Sequence, residues 1–239
     1  MRSRHSSLGV GFSTSLAAGA MRALILELIQ TLPGVQLSGF ERGRRRLSQA
    51  LYAGTIDFAV LSGDLVLEAM TRKALWAERI VIALPQDHPL LAKDRLHWVD
   101  LRKHRFIISE QDPGPDLASV LLARLSEPGS SPELKMFDVS RENVLTMVSA
   151  ANYATLTTDA AMGSTAPGVV LRNIYEPTGN TAQLEYAGYW RDHVAFEQRP
   201  IRIIRDYRVL TLPLHLRTRG RSVLPNMTQV MNAITPFMK

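Results

Sequence analysis

The sequence predicts an α/β fold of two lobes joined by two crossing strands, with a cleft between them. Three observations point there. Strand-like and helix-like stretches alternate β-α-β-α-β from Leu8 to Leu61, which is how a parallel sheet with helices on its faces is written in sequence. A second series of the same kind runs from about Leu84 to Leu184. Tyr186 to Trp190 then alternates as a strand that goes back to the first sheet. The expected limits are 7–84 plus 185–209 for lobe I, 85–184 for lobe II, and a basic tail over 210–239.

The elements follow in order. Leu8–Phe12 is a short first strand. Ser13-Thr14-Ser15 offers N-caps, whose hydroxyls accept from free first-turn amides, and Leu16, Ala20, Leu24 and Leu28 recur at i+4 as a helix to about Thr31. Pro33-Gly34 ends it, and Val35–Phe40 alternates as a second strand. Leu47, Ala50 and Leu51 share one helix face, Gly54 suits a helix C-cap, and Ile56–Leu61 is an almost unbroken apolar run. Arg42, Arg44, Arg45 and Arg46 crowd the start of that helix, where the dipole disfavours positive charge. Further strands are expected at Arg79–Pro85, Arg105–Ile108, Leu134–Val139, Ala154–Thr157 and Val169–Leu171. Between them come a short helix or turn at Trp98–Leu101, a polar loop over Ser109–Asp116, and helices marked by Leu117, Leu121, Leu122 and Leu125 and by Val144, Met147, Val148 and Ala151. Ile201, Ile204 and Arg208 line a last amphipathic helix.

Composition narrows the function. The chain has 239 residues, 46% hydrophobic and 21% charged, as in an ordinary globular protein. It has no cysteine, so disulfides and thiolate metal sites are excluded and a reducing compartment is expected. No apolar run reaches the length of a membrane span, and the N-terminus lacks the apolar stretch of a secretory signal. The net charge of +6 sits at the two ends. Seven of the 28 basic residues, and no acid, lie in 1–6 and 207–239, which leaves 21 basic against 22 acidic residues between. A solvated tail or a weak polyanion contact would each account for the basic end. The six histidines are scattered, and no nucleophile elbow, phosphate loop or H-E-x-x-H is present. The expectation is therefore no enzyme, no cofactor and no metal.

Four segments together carry a family resemblance. Phe40-Glu41-Arg42-Gly43 and Leu51-Tyr52-Ala53-Gly54-Thr55-Ile56-Asp57-Phe58-Ala59-Val60 fit an aromatic-Glu-x-Gly turn followed by Leu-x-x-Gly-x-x-Asp and a buried strand. Glu78–Pro85 with Asp87-His88-Pro89-Leu90, Asp100-Leu101 before Phe106-Ile107, and Tyr189-Trp190-Arg191 are the others. On these residues the chain, over roughly 7–209, resembles the effector-binding C-terminal part of LysR-type transcriptional regulators. The resemblance implies two Rossmann-like lobes arranged like a type 2 periplasmic binding protein. It also implies a small organic effector in the cleft, a homodimer or homotetramer, and a cytoplasmic location. DNA would be touched only through an N-terminal winged helix-turn-helix that is missing here. Ala151-Asn152-Tyr153 departs from the family, standing where relatives have Gly-x-Gly.

The resemblance also nominates ligand-binding residues. Ser13, Thr14 and Ser15 occupy the family's effector-holding helix start, although plain capping explains them too. Arg44 falls where relatives carry a small hydroxyl residue; its guanidinium would clamp a carboxylate bidentately, or pair with Glu41 on the surface. Ser62 ends the third strand at its carboxyl edge, where open α/β sheets bind ligands. Gln111, Pro115 and Asp116 belong to the polar loop of the second lobe, and Thr155 to a strand beside the cleft. The expected function is a sensor for a small anionic, carboxylate-bearing effector that acts by population shift. A solute-binding protein of a transporter with the same fold is the alternative.

Overall fold

In the computed structural model, which describes residues 6–16, 18–163 and 166–191, the first β-α-β-α-β series is a parallel three-strand core. Strands β1 (Ser6–Phe12), β2 (Val35–Glu41) and β3 (Phe58–Ser62) stand in the order β2-β1-β3. Helix α1 (Gly19–Thr31) buries Met21, Leu24 and Leu28, and α2 (Arg44–Ala53) buries Leu47 and Leu51. Burying each such side chain stabilises the fold by about 1.5–3 kcal/mol. Gly54 closes α2 at φ 70°, a left-handed turn that a Cβ would strain. Asp57 accepts from the Gly9 amide at 2.8 Å, which explains the acid before β3 as a structural tie.

Strand β4 (Met70–Pro85) joins the lobes. Its first part, Met70 to Arg79, pairs antiparallel with β10 (Gln183–Arg191), which returns along β3. From Ile80 onward it pairs instead with β8 (Thr155–Thr158) and β9 (Val169–Tyr175). Strand β5 (Leu96–His97) flanks β9.

The second lobe repeats the first. Strand β6 (Arg105–Ser109) pairs parallel with β7 (Glu133–Phe137), and the Ile107 amide donates to Ala154 O at 3.0 Å on the edge of β8. Through a single parallel bridge from Phe106 to Ala154, just before β8, the two-stranded β7-β6 sheet meets β8 in an arrangement that mirrors β2-β1-β3, and an antiparallel crossing strand follows in each, β10 beside β3 and β4 beside β8. Helices α3 (Gly114–Leu125) and α4 (Arg141–Ala151) therefore correspond to α1 and α2. The result is an α/β fold of two lobes with a cleft between them.

Four local expectations need correction. Helix α1 begins at Gly19, with Ala18 at the cap and no side-chain cap bond. Ser13-Thr14-Ser15 thus do not cap it, because these hydroxyls turn inward and the helix starts only after the chain has left the sheet. Leu16, expected on the buried face, is exposed. Helix α3 takes in Gly114, Pro115 and Asp116, shortening the expected polar loop, and a Cβ on Gly114 would run into the Ser109 carbonyl. Strand β4 starts nine residues earlier than Arg79, since Trp76, Glu78 and Ile80 alternate on one buried face. The turn after α4 keeps its left-handed residue without glycine: Asn152 sits at φ 50°, ψ 42°, a conformation asparagine tolerates better than other side chains. The helix expected around Ile201–Arg208 and the tail over 210–239 lie outside the described residues.

Candidate functional site: the interlobe cleft

The start of α2 carries a positive dipole end and Arg44 as its first residue. Gly43 supplies no side-chain cap. The cap comes from the other lobe. Asp112, in the turn before α3, accepts from the Arg44 amide and from its Nε, each at 2.5 Å. Asp116, in the first turn of α3, accepts from Arg44 Nη2 at 2.5 Å and from Ser62 Oγ at 2.6 Å. Burial works against the Arg44 charge, yet the bonds and charges of Asp116 and Asp112 outweigh it and hold the guanidinium above its ordinary pKa. Glu41, the expected surface partner of Arg44, instead meets Arg141 Nη2 at 3.3 Å. Arg42, Arg45 and Arg46 are exposed.

Away from this opening, buried Glu78 on β4 touches both lobes. Its carboxylate accepts from Thr14 Oγ1 at 3.2 Å, from Trp76 Nε1 at 3.2 Å and from Thr158 Oγ1 at 2.6 Å. Burial pushes its carboxyl pKa up, and the bonds from Thr158, Trp76 and Thr14 offset that only in part. The buried Tyr186 hydroxyl on β10 completes no hydrogen bond of normal geometry, and burial together with the charge of Glu78 drives its pKa well above the ordinary phenol value.

The nine nominated residues divide accordingly. Ser13, Arg44, Gln111 and Pro115 line one open depression of about 1040 Å³, together with Asp112, Asp138, Ser140 and Glu142. Ser62 and Asp116 join Arg44 in the hydrogen-bonded group across the lobes. Thr14 faces Glu78, Ser15 is buried nearby in sequence, and Thr155 lines a smaller cavity of about 20 Å³ shared with Gln111, Thr157 and Arg141. Sequence reasoning missed Glu78, Arg141 and Asp112. For Glu78 a signal existed, the period-2 pattern Trp76, Glu78, Ile80. For Asp112 none did, because its role depends on a helix 68 positions away. Among the described residues no group of three or more His, Asp or Glu could hold a metal ion, and no helix is long and apolar enough to cross a membrane.

Comparison with known proteins follows the same lines. The family described as LysR substrate binding domain matches residues 2–195. Among curated proteins, the HTH-type transcriptional regulator TtuA of Agrobacterium vitis is 26% identical over 149 residues, 60% of this chain and 47% of the relative. The transcriptional dual regulator GltC of Bacillus subtilis (strain 168) is 25% identical over 159 residues, 66% of this chain and 52% of the relative. Both are named as regulators of transcription, not as enzymes, and the chain spans about half the length of each. Among solved structures, the BenM effector binding domain with its effector benzoate superposes with a TM-score of 0.70 at 21% identity, over 84% of this chain and 90% of that one. The reduced OxyR regulatory domain of Pseudomonas aeruginosa gives 0.69 at 22% identity, over 85% and 96%. The fold is that of these two domains, and the chain belongs to the LysR substrate-binding domain family.

Proposed function

We propose that this chain senses a small organic carboxylate, which enters the cleft between the lobes and shifts their closure. The observation that carries the reading is the convergence of polar groups from both lobes on one opening: Ser13 and Arg44 from the first, Gln111 and Ser140 from the second, with Pro115 beside them. The benzoate in the BenM domain of like fold supports a carboxylate as ligand class. Ser13, Thr14, Ser15, Gln111, Pro115 and Thr155 are the proposed contacts, and Arg44, Ser62 and Asp116 form the bridge that ligand entry and lobe closure act on. Lobe limits of 7–84 with 185–209, and 85–184, belong to this reading; along β4 the change of partner falls between Arg79 and Ile80, a few residues before the first of these limits. Within a longer cytoplasmic regulator, closure would bias the packing of a homodimer or homotetramer, and a separate DNA-binding module would read that change.

A thermal-shift screen of aromatic and aliphatic carboxylates on the chain tests this. One or more should raise Tm with saturation, since a ligand that binds the folded state alone stabilises it by mass action. A flat response across carboxylates, amides and amines alike would remove the reading.

A further inference from the structure

The two lobes place an arginine at matching positions. Arg44 opens α2 and Arg141 opens α4, the second helix of each β-α-β-α-β series. A helix start plus a guanidinium attracts an anion. In lobe I that anion is already supplied: Asp112 bonds the Arg44 amide and Nε, and its side chain is only 8% exposed. In lobe II the guanidinium has weaker company. Glu41 lies at 3.3 Å and Glu142 at 3.7 Å, and these side chains are 62% and 60% exposed. Arg141 itself is 15% exposed, and its Nε is buried and completes no hydrogen bond.

A second observation is independent of the helix. Thr157, on β8, is fully buried, its hydroxyl completes no hydrogen bond, and it lines the same cavity as Arg141. Buried donors without partners are rare in folded proteins and need an explanation. Ser13 Oγ, buried on the lobe I side, is in the same condition. The cavity shared by Arg141 and Thr157 has a volume of about 20 Å³, the size of one oxygen-bearing group, and Ile108, Leu117, Val144 and Leu145 form its apolar wall.

We infer that Arg141, with the Thr157 hydroxyl, is the specificity-determining anion site of the cleft and receives the carboxylate of the ligand. Arg44 serves as an internally neutralised bridge. The inference rests on the sensor reading above and deepens it. Binding replaces the solvated Glu41 and Glu142 contacts of Arg141 with a planar, two-point carboxylate contact. An uncharged isostere of the same shape leaves the guanidinium without a counter-charge and is rejected.

The test uses the whole chain and matched probes: benzoate, butyrate and succinate, each with its amide. Wild type should bind at least one carboxylate at least about tenfold more tightly than the amide, by calorimetry. Arg141→Gln should abolish that preference, Arg141→Lys should keep part of it because charge persists without the planar fork, and Arg102→Gln, on the exposed surface beside Glu127, should leave it in place. Circular dichroism checks each fold, and Arg141→Lys carries the test if Arg141→Gln does not fold. Undiminished carboxylate preference in the Arg141 variants, or its equal loss in Arg102→Gln, overturns the inference while the sensor reading stands. Equal binding of amide and acid by wild type overturns it too. If neither acids nor amides bind wild type, the sensor reading fails and takes this inference with it.

Discussion

Asp112 reaches across the cleft to cap a helix that is not its own, bonding Arg44 through both the backbone amide and Nε at 2.5 Å. A side chain from one lobe thereby completes the hydrogen bonding of the other. The contact neutralises an arginine that the helix dipole alone would disfavour. It also ties lobe closure to the order of the turn before α3.

Breaking this bridge from one side should cost more than removing it whole. Asp112 is 8% exposed, so Arg44→Gln leaves a buried carboxylate without its cation, at a cost of about 3–5 kcal/mol if the cleft stays closed. The double variant Arg44→Gln with Asp112→Asn should recover part of that, giving a coupling of about 1–3 kcal/mol in urea unfolding. Additive single effects would show that the lobes open freely and the bridge contributes nothing.

Glu78 should make the fold lose stability as pH rises above the ordinary carboxylate range. Its folded pKa is raised above the ordinary 4.5. The sign follows: the stabilising contribution is present below 4.5 and is lost as pH rises through the folded value. Glu78→Gln removes the titration, so its Tm relative to wild type should improve between about pH 5 and pH 8. A gap that stays constant over that range would show that Glu78 does not titrate there.

His88 and His104 predict the opposite trend at mild acid. Their rings lie 4.7 Å apart, His88 Nδ1 accepts from the Leu90 amide, and burial lowers both pKa values, with the charge of His104 adding to the effect on His88. A base depressed in the fold takes up its proton more readily when unfolded. Stability should therefore fall as pH drops through the ordinary 6.5. His88→Asn, which keeps an acceptor for Leu90, should flatten Tm against pH in that window; an unchanged slope would clear the pair of any role.

Asn152 holds a left-handed turn at φ 50°. Asn152→Ala should destabilise by about 1 kcal/mol, whereas Asn152→Gly should be close to neutral, because alanine keeps the Cβ strain while losing the asparagine side chain that offsets it, and glycine has no Cβ. Urea midpoints compare the two, and equal losses would mean that the side chain's contacts, not its backbone angle, set the cost.

Much of this was legible in sequence because it depends on neighbours in the chain. Leu47 and Leu51 announce α2 by spacing, Gly54 its end, and the apolar run through Phe58–Leu61 its buried strand. The two successive β-α-β-α-β series announce two lobes, since each must bury its own helices on its own sheet. Glu78 was half legible, for the pattern around it alternates although the residue itself is charged.

What only the tertiary structure decided is which charges meet. Arg44 reads in sequence as a ligand clamp or a partner of Glu41, and nothing local separates those readings from a third in which Asp112 and Asp116 claim it. Ser13-Thr14-Ser15 reads as a cap, yet Thr14 turns toward Glu78. Backbone pattern is written in short-range periodicity and hydrophobicity, so the chain alone determined the lobes and their strands. Ion pairs and buried hydroxyls join residues tens of positions apart, and their choice of partner follows from how two finished lobes face each other.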